Sequence, residues 1–253
     1  MKFLHDTWIL FGRNMRHFLR SPESFMEVIV VPILFMFMFV YVFGGAIQTG
    51  TSTGNYINYM LPGVISIAIV NGTVFTALRL FNDRQKGLMA RFHSMPVSRQ
   101  SILWAQVLTS LVSNAISVAI IILVAFIIGF RSNAGILEWV TIITLLGIFT
   151  LALSWLAVIP GLIAKSTDGA LAFAYPLFFL PFVSSAFVPT ETMPYFVRIF
   201  TENQPITPIV NVIRSLLSSN HVGNDILIAF AWCIGIMVVA YFISMRIYKN
   251  QTD

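Results

Sequence analysis

The chain has 253 residues, of which 57% are hydrophobic and only 10% charged. Soluble domains carry roughly 25% charged residues, so fifteen Lys+Arg and ten Asp+Glu cannot cover a soluble globule of this length. The composition excludes an ordinary cytosolic enzyme, a disordered chain and a nucleic-acid binder. The net charge of +5 therefore needs a use other than a polyanion partner.

Residues 1–25 do not span a membrane. Leu4, Trp8, Phe11, Met15 and Phe18 recur at steps of four and three, on one helical stripe. Asp6, Arg13, Arg16 and Arg20 fall on the other side, and Ser21-Pro22 ends the pattern. A basic amphipathic helix with a tryptophan lies in the headgroup plane. It is either an anchor that only sets topology or an elbow that also flanks a cytoplasmic partner.

Apolar blocks follow at about 26–46, 56–80, 102–130, 139–163, 169–188 and 225–245. Each approaches or exceeds the ~20 residues that cross ~30 Å of hydrocarbon as a helix. The expected fold is thus an all-α integral membrane protein, one domain of six transmembrane helices over 26–253. The second block holds Asn71 and Thr73 beside Gly72, and the third holds Ser110, Ser113, Asn114 and Ser117. These neutral polar residues either line a translocation path, with Asn71, Thr73, Ser113 and Asn114 as its candidates, or make helix contacts. Ala68 and Gly72 predict a close helix crossing.

Between blocks two and three, residues 81–101 form the longest cytoplasmic connection. They read as a short helix with Leu88, Phe92 and Met95 on one side and Arg84, Lys86 and Arg91 around it. Pro96 stops that helix, and Ser98 is placed to cap the next one. The segment is either a basic topogenic loop or a rigid helix that docks into a groove on another protein. Residues 190–224 are too broken to span, with Pro194, Pro205 and Pro208, yet too apolar for a solvated loop. They read as two short re-entrant helices. The second is capped by Thr207, with Pro208 at its first position and Ile209, Val212, Ile213 and Leu216 as its apolar stripe.

Twelve of the fifteen basic residues fall on the side of the N-terminus: Lys2, Arg13, Arg16, Arg20, Arg79, Arg84, Lys86, Arg91, Arg99, Lys165, Arg246 and Lys249. Only Arg131, Arg198 and Arg214 fall on the other. The positive-inside tendency puts both termini in the cytoplasm of a cell-membrane protein. The span interiors carry no Asp, Glu, Lys or Arg, which argues against ion-coupled transport. Lys165-Ser166-Thr167 lacks the glycine spacing of a phosphate-binding loop. Four scattered histidines and one cysteine, Cys233, predict no metal site, and no catalytic constellation is present.

Three features resemble the type 2 permeases of ATP-binding-cassette (ABC) exporters, close to the daunorubicin-resistance-like drug-efflux permeases. They are the elbow before a six-span chain, the loop Arg84-Gln-Lys-Gly87 … Met95-Pro-Val-Ser-Arg99, and Asn203-Gln-Pro205-Ile-Thr-Pro-Ile-Val-Asn-Val-Ile-Arg214 before the last span. The loop departs from the family in its charge, with Asp83 as its single acid. The resemblance implies a full transporter of two permease copies, expected to be identical, and two ATP-binding subunits. This chain would hold no cofactor, ATP and Mg being on the partner subunit. Arg84, Lys86, Gly87, Leu88, Arg91, Phe92, Met95 and Pro96 would receive the nucleotide-driven movement. The elbow, with Trp8, Phe11, Met15, Arg13 and Arg16, would share in it. A hydrophobic drug, lipid or peptide would leave between the copies near spans 1, 2 and 5. Two other readings remain: a polysaccharide or lipid-linked glycan exporter with more aromatic residues along a wide channel, and a membrane assembly or immunity protein without turnover.

Overall fold

The computed structural model describes residues 2–43, 53–88, 98–188, 190, 193–218 and 223–250. Among them there are helices and turns and no strand. The amphipathic α1 (Lys2–Arg20) comes first. Four helices are long and apolar enough to cross a membrane: α4 (Thr53–Gln85), α5 (Arg99–Ile128), α6 (Ile136–Ile163) and α11 (Asp225–Asn250).

The first and fifth blocks are not single continuous α-helices, so four of the six expected spans are long regular helices. The first runs as α2 (Pro22–Phe25), a π-helical turn (Met26–Val30), α3 (Val31–Phe37) and a second π-helical turn (Met38–Phe43). The Val31 N–H donates to the Met26 carbonyl, five residues back. Pro32 then has no N–H to give to the carbonyls one turn earlier. Neighbouring helices supply the donors: Asn71 Nδ2 donates to Glu27 O at 2.8 Å and Ser117 Oγ to Val28 O at 2.7 Å. The fifth block breaks into α7 (Thr167–Ala172), α8 (Ala174–Phe179) and turns through residue 188. Pro176 and Pro181 remove two ladder donors, and the chain tightens into short bonds such as Phe182 N–H to Phe179 O at 3.0 Å.

Of the segment 190–224, α9 (Tyr195–Asn203) and α10 (Ile206–Leu217) are the two expected short helices. The cap differs. Pro205 occupies the N-cap position, and Thr207 lies inside the first turn with its hydroxyl donating to Thr201 O at 2.5 Å. Pro208 is tolerated there because first-turn N–H groups have no intrahelical partner. Ile209, Val212, Ile213 and Leu216 are buried as the stripe predicts.

Helix α4 is the buried centre, packing on α3, α5, α6, α7, α8 and α10. Its glycines permit this. A Cβ on Gly63 would sit 2.6 Å from Ala186 Cβ, and one on Gly72 would sit 2.1 Å from Asn114 Oδ1. At the next crossing the small residue is on α6, where a Gly161 Cβ would approach Ala77 O to 3.0 Å. Ala68 is buried. The crossing expected at Gly72 is therefore present, between α4 and α5.

Gly72→Ala is expected to destabilise the chain by about 1–3 kcal/mol through overpacking. Gly147→Ala, where an added Cβ meets nothing within 4 Å, should be neutral or gain up to about 1 kcal/mol of helix propensity. Thermal unfolding of the two variants in detergent checks the opposite signs.

Candidate functional site

Contacts sort the connections onto two ends of the bundle. At one end, Asp6 Oδ2 accepts from the Ser98 N–H at 3.1 Å, and Arg84 Nη1 donates to the Leu162 carbonyl. Tyr248, near the C-terminus, shares a buried cluster with Leu10, Leu103 and Leu162. At the opposite end, Asn58 Nδ2 donates to Arg131 O at 3.2 Å, and Ser132 Oγ donates to Leu217 O at 3.2 Å. The N-terminal helix, the residues flanking the 86–98 connection and the C-terminal turns thus lie together.

Helix α1 has three sides rather than two. Leu4 and Trp8 are 72% and 70% exposed, and Phe11 and Met15 are half-buried beside them. Arg13 and Arg16 are exposed on a second side. Thr7, Leu10 and Phe18 are buried and seat the helix against its neighbours, chiefly α5. Asp6, grouped with the arginines by periodicity, turns instead to the start of α5. Ser98 holds the N-cap position there, but its hydroxyl makes no cap bond. The Asp6 carboxylate supplies the negative group that a helix N-terminus favours.

The coupling segment begins later than 81. Residues 81–85 continue α4, since no proline or glycine interrupts the helix before Gly87. Gly87, at φ +67, stops it in the left-handed region. Arg79, Asp83 and Arg84 therefore ride on the long helix itself. Arg84 is tied to α6, Lys86 is exposed, and Gly87 and Leu88 are half-buried. Arg91, Phe92, Met95 and Pro96 lie outside the described residues.

Thr73, Ser113 and Asn114 are buried, and Asn71 is half-buried between helices. Asn114 Nδ2 donates to Ser110 O at 2.9 Å, Ser154 Oγ donates to Ser110 Oγ at 2.8 Å, and Thr73 Oγ1 donates to Val70 O at 2.7 Å. With the Asn71 and Ser117 bonds to the first block, they form a polar seam among α4, α5 and α6. Trp155 is buried, with Trp104 and Tyr241 edge-on at 5.2 and 4.8 Å. The lysine–serine pair at 165–166 is a helix start, with the Gly169 N–H donating to Ser166 Oγ at 3.1 Å.

At the opposite end sits a group whose role the sequence does not reveal. Arg214 of α10 donates from Nη2 to Ser185 O at 2.7 Å and Ala186 O at 3.3 Å, and from Nε to Tyr59 O at 3.2 Å. Its guanidinium carbon lies 3.8 Å from the Tyr59 ring centroid. Tyr59 Oη donates to the same Ser185 carbonyl at 3.1 Å, and Ser185 Oγ donates to Asn211 Oδ1 at 2.7 Å. One side chain thus joins α4, α10 and the turns that end the fifth block. Charge counting registers Arg214 only as one of three outer cations; the available signal was a lone arginine on an otherwise apolar helix.

Arg214→Gln should lower stability by roughly 2–4 kcal/mol, because several carbonyls lose a charged donor. Arg214→Lys should recover only part, since an ammonium cannot reproduce the planar fork. Thermal unfolding of both variants in detergent measures the order.

Comparison with known proteins bears on what this arrangement serves. The chain is 28% identical over 243 residues to the daunorubicin resistance ABC transporter permease protein DrrB1 of Streptomyces coeruleorubidus, covering 94% of this chain and 84% of that one. It is 25% identical over 241 residues to the probable doxorubicin resistance ABC transporter permease protein DrrC of Mycobacterium tuberculosis, covering 94% and 86%. It is also 25% identical over 222 residues to the putative transport permease ycf38 of Cyanophora paradoxa, covering 85% and 75%. The family model for the ABC-2 type transporter matches residues 5–218. The chain belongs to the ABC-2 type transporter family.

Proposed function

We propose that this chain is the permease subunit of an exporter that moves a hydrophobic compound outward, driven by ATP hydrolysed on a separate subunit. The observation that carries the proposal is the joining of α1 and the end of α6 to Ser98 and Arg84, the residues on either side of the connection, at one end of the bundle, in a chain of this family. The uneven basic count supports assigning that end, with both termini, to the cytoplasm. Relatives named for daunorubicin and doxorubicin resistance favour a drug over a lipid or peptide as cargo. Two permease copies and two ATP-binding subunits complete the assembly.

On this reading, the 87–98 connection meets the ATP-binding partner, and α1 lies in the headgroup plane with Trp8 and Leu4 toward lipid. The buried polar seam, including Asn71, Thr73, Ser113 and Asn114, packs helices within one permease copy, while cargo passes between copies. Packing of Trp155, Trp104 and Tyr241 against one another gives no support to a wide glycan channel.

Leu88→Ala combined with Phe92→Ala is expected to weaken capture of the ATP-binding subunit and to lower anthracycline transport, because truncating interface anchors costs about 1–4 kcal/mol each. Pull-down and transport in the same inverted vesicles read both effects. Wild-type capture and transport in the double variant would make the loop topogenic only.

A further inference from the structure

We propose that the cleft between α1, α4 and α5 binds the headgroup of an anionic glycerophospholipid through its phosphate. The cleft is about 90 Å³ in volume. That is far below the ~300–1,000 Å³ of sites that enclose drug-sized ligands, and it suits a single small anionic group. Arg13, Arg79 and Lys86 line it, opposed by one carboxylate, Asp83, with His17 at its side. Counted with His17 neutral, the lining carries two net positive charges.

The buried groups are only partly satisfied from within. Gln106 Nε2 donates to Asp83 Oδ2 at 2.8 Å, which occupies one carboxylate oxygen. Arg79 Nε donates to Phe75 O and its Nη2 to Thr76 Oγ1, each at 3.3 Å. Its Nη1 is buried with no acceptor among the described residues, and Gln106 Oε1 is buried with no donor. Both side chains line the cleft, and a phosphate that carries a neighbouring hydroxyl, as a glycerol headgroup does, offers an acceptor to the guanidinium and a donor to the amide.

The surroundings favour a lipid over a soluble anion. A second, open recess of about 510 Å³ on α1 shares Arg13 and His17 and adds Arg16 and Arg20. The adjoining side of the same helix exposes Trp8 and Leu4. Cations and apolar side chains thus meet along one edge, the arrangement in which basic sites on membrane proteins hold lipid headgroups. The proposal rests on membrane embedding and on neither the cargo nor the ATP assignment.

The test uses the full chain purified in detergent, with phosphatidylglycerol and phosphatidylcholine titrated separately and bound lipid read by native mass spectrometry. Phosphatidylglycerol should be retained in preference to phosphatidylcholine. Arg13→Gln and Lys86→Gln, at accessible positions, should each weaken its retention about five-fold at low salt, while Arg198→Gln on α9 should leave it unchanged. Unaltered elution and circular dichroism establish that the variants fold. Equal retention of the two lipids, or wild-type retention by both cleft variants, overturns the proposal. Full displacement by inorganic phosphate overturns the lipid source. Variants that lose the ATP-binding subunit but keep phosphatidylglycerol would make the cleft a protein-docking site, which also overturns it.

Discussion

Backbone groups at membrane depth must find partners inside the protein, and this constraint governs the parts of the fold that are not regular helix. Two irregular stretches test it. The first block carries π-helical turns around Pro32, and its freed carbonyls are taken by Asn71 and Ser117 from α4 and α5. The fifth block loses its helix after Phe179, just before Pro181, and its terminal carbonyls at Ser185 and Ala186 are taken by Arg214. Polar side chains of neighbouring helices thus permit proline-containing irregular segments in the bundle.

The two irregular blocks also meet each other. Phe39 stacks on Phe187 at 4.2 Å, and Phe35 packs edge-on against Phe178 and Phe182 at 6.1 and 5.9 Å. The regular helices α4, α5, α6 and α11 are the long helices of the bundle. At one end of the bundle, Asp6 joins α1 to the start of α5, and Arg84 joins the end of α4 to α6. A displacement applied to the 86–98 connection would reach α4 and α5 directly, and α1 and α6 through these bonds. That is the mechanical content of the proposed coupling.

Much of this was legible in the sequence. Continuous apolar runs marked the four long helices, the four-and-three spacing marked α1, and the glycine beside Asn71 and Thr73 marked the tight crossing. The misses have physical causes. An apolar run reports burial but not continuity, so the breaks at Pro176 and Pro181 went unread. Charge marked residues 81–85 as loop, although nothing before Gly87 stops a helix. The buried side of α1 mixes Thr7 and Leu10 with Phe18 and gives no apolar stripe of its own. Thr207 read as a cap because its hydroxyl suits one, yet the helix starts two residues earlier than that cap implies, at Ile206. Arg214 bonds to residues about 30 and 155 positions away, a separation that no local pattern contains.

The central claim is that this chain supplies the membrane path and a separate subunit supplies the energy. Its most direct measurement is ATP hydrolysis and uptake of the proposed drug cargo in liposomes reconstituted with the purified chain alone or together with its ATP-binding subunit. The account predicts background hydrolysis and no uptake for the chain alone, with both activities present in the pair. Robust hydrolysis by the chain alone, persisting after removal of every co-purifying ATPase, would contradict it.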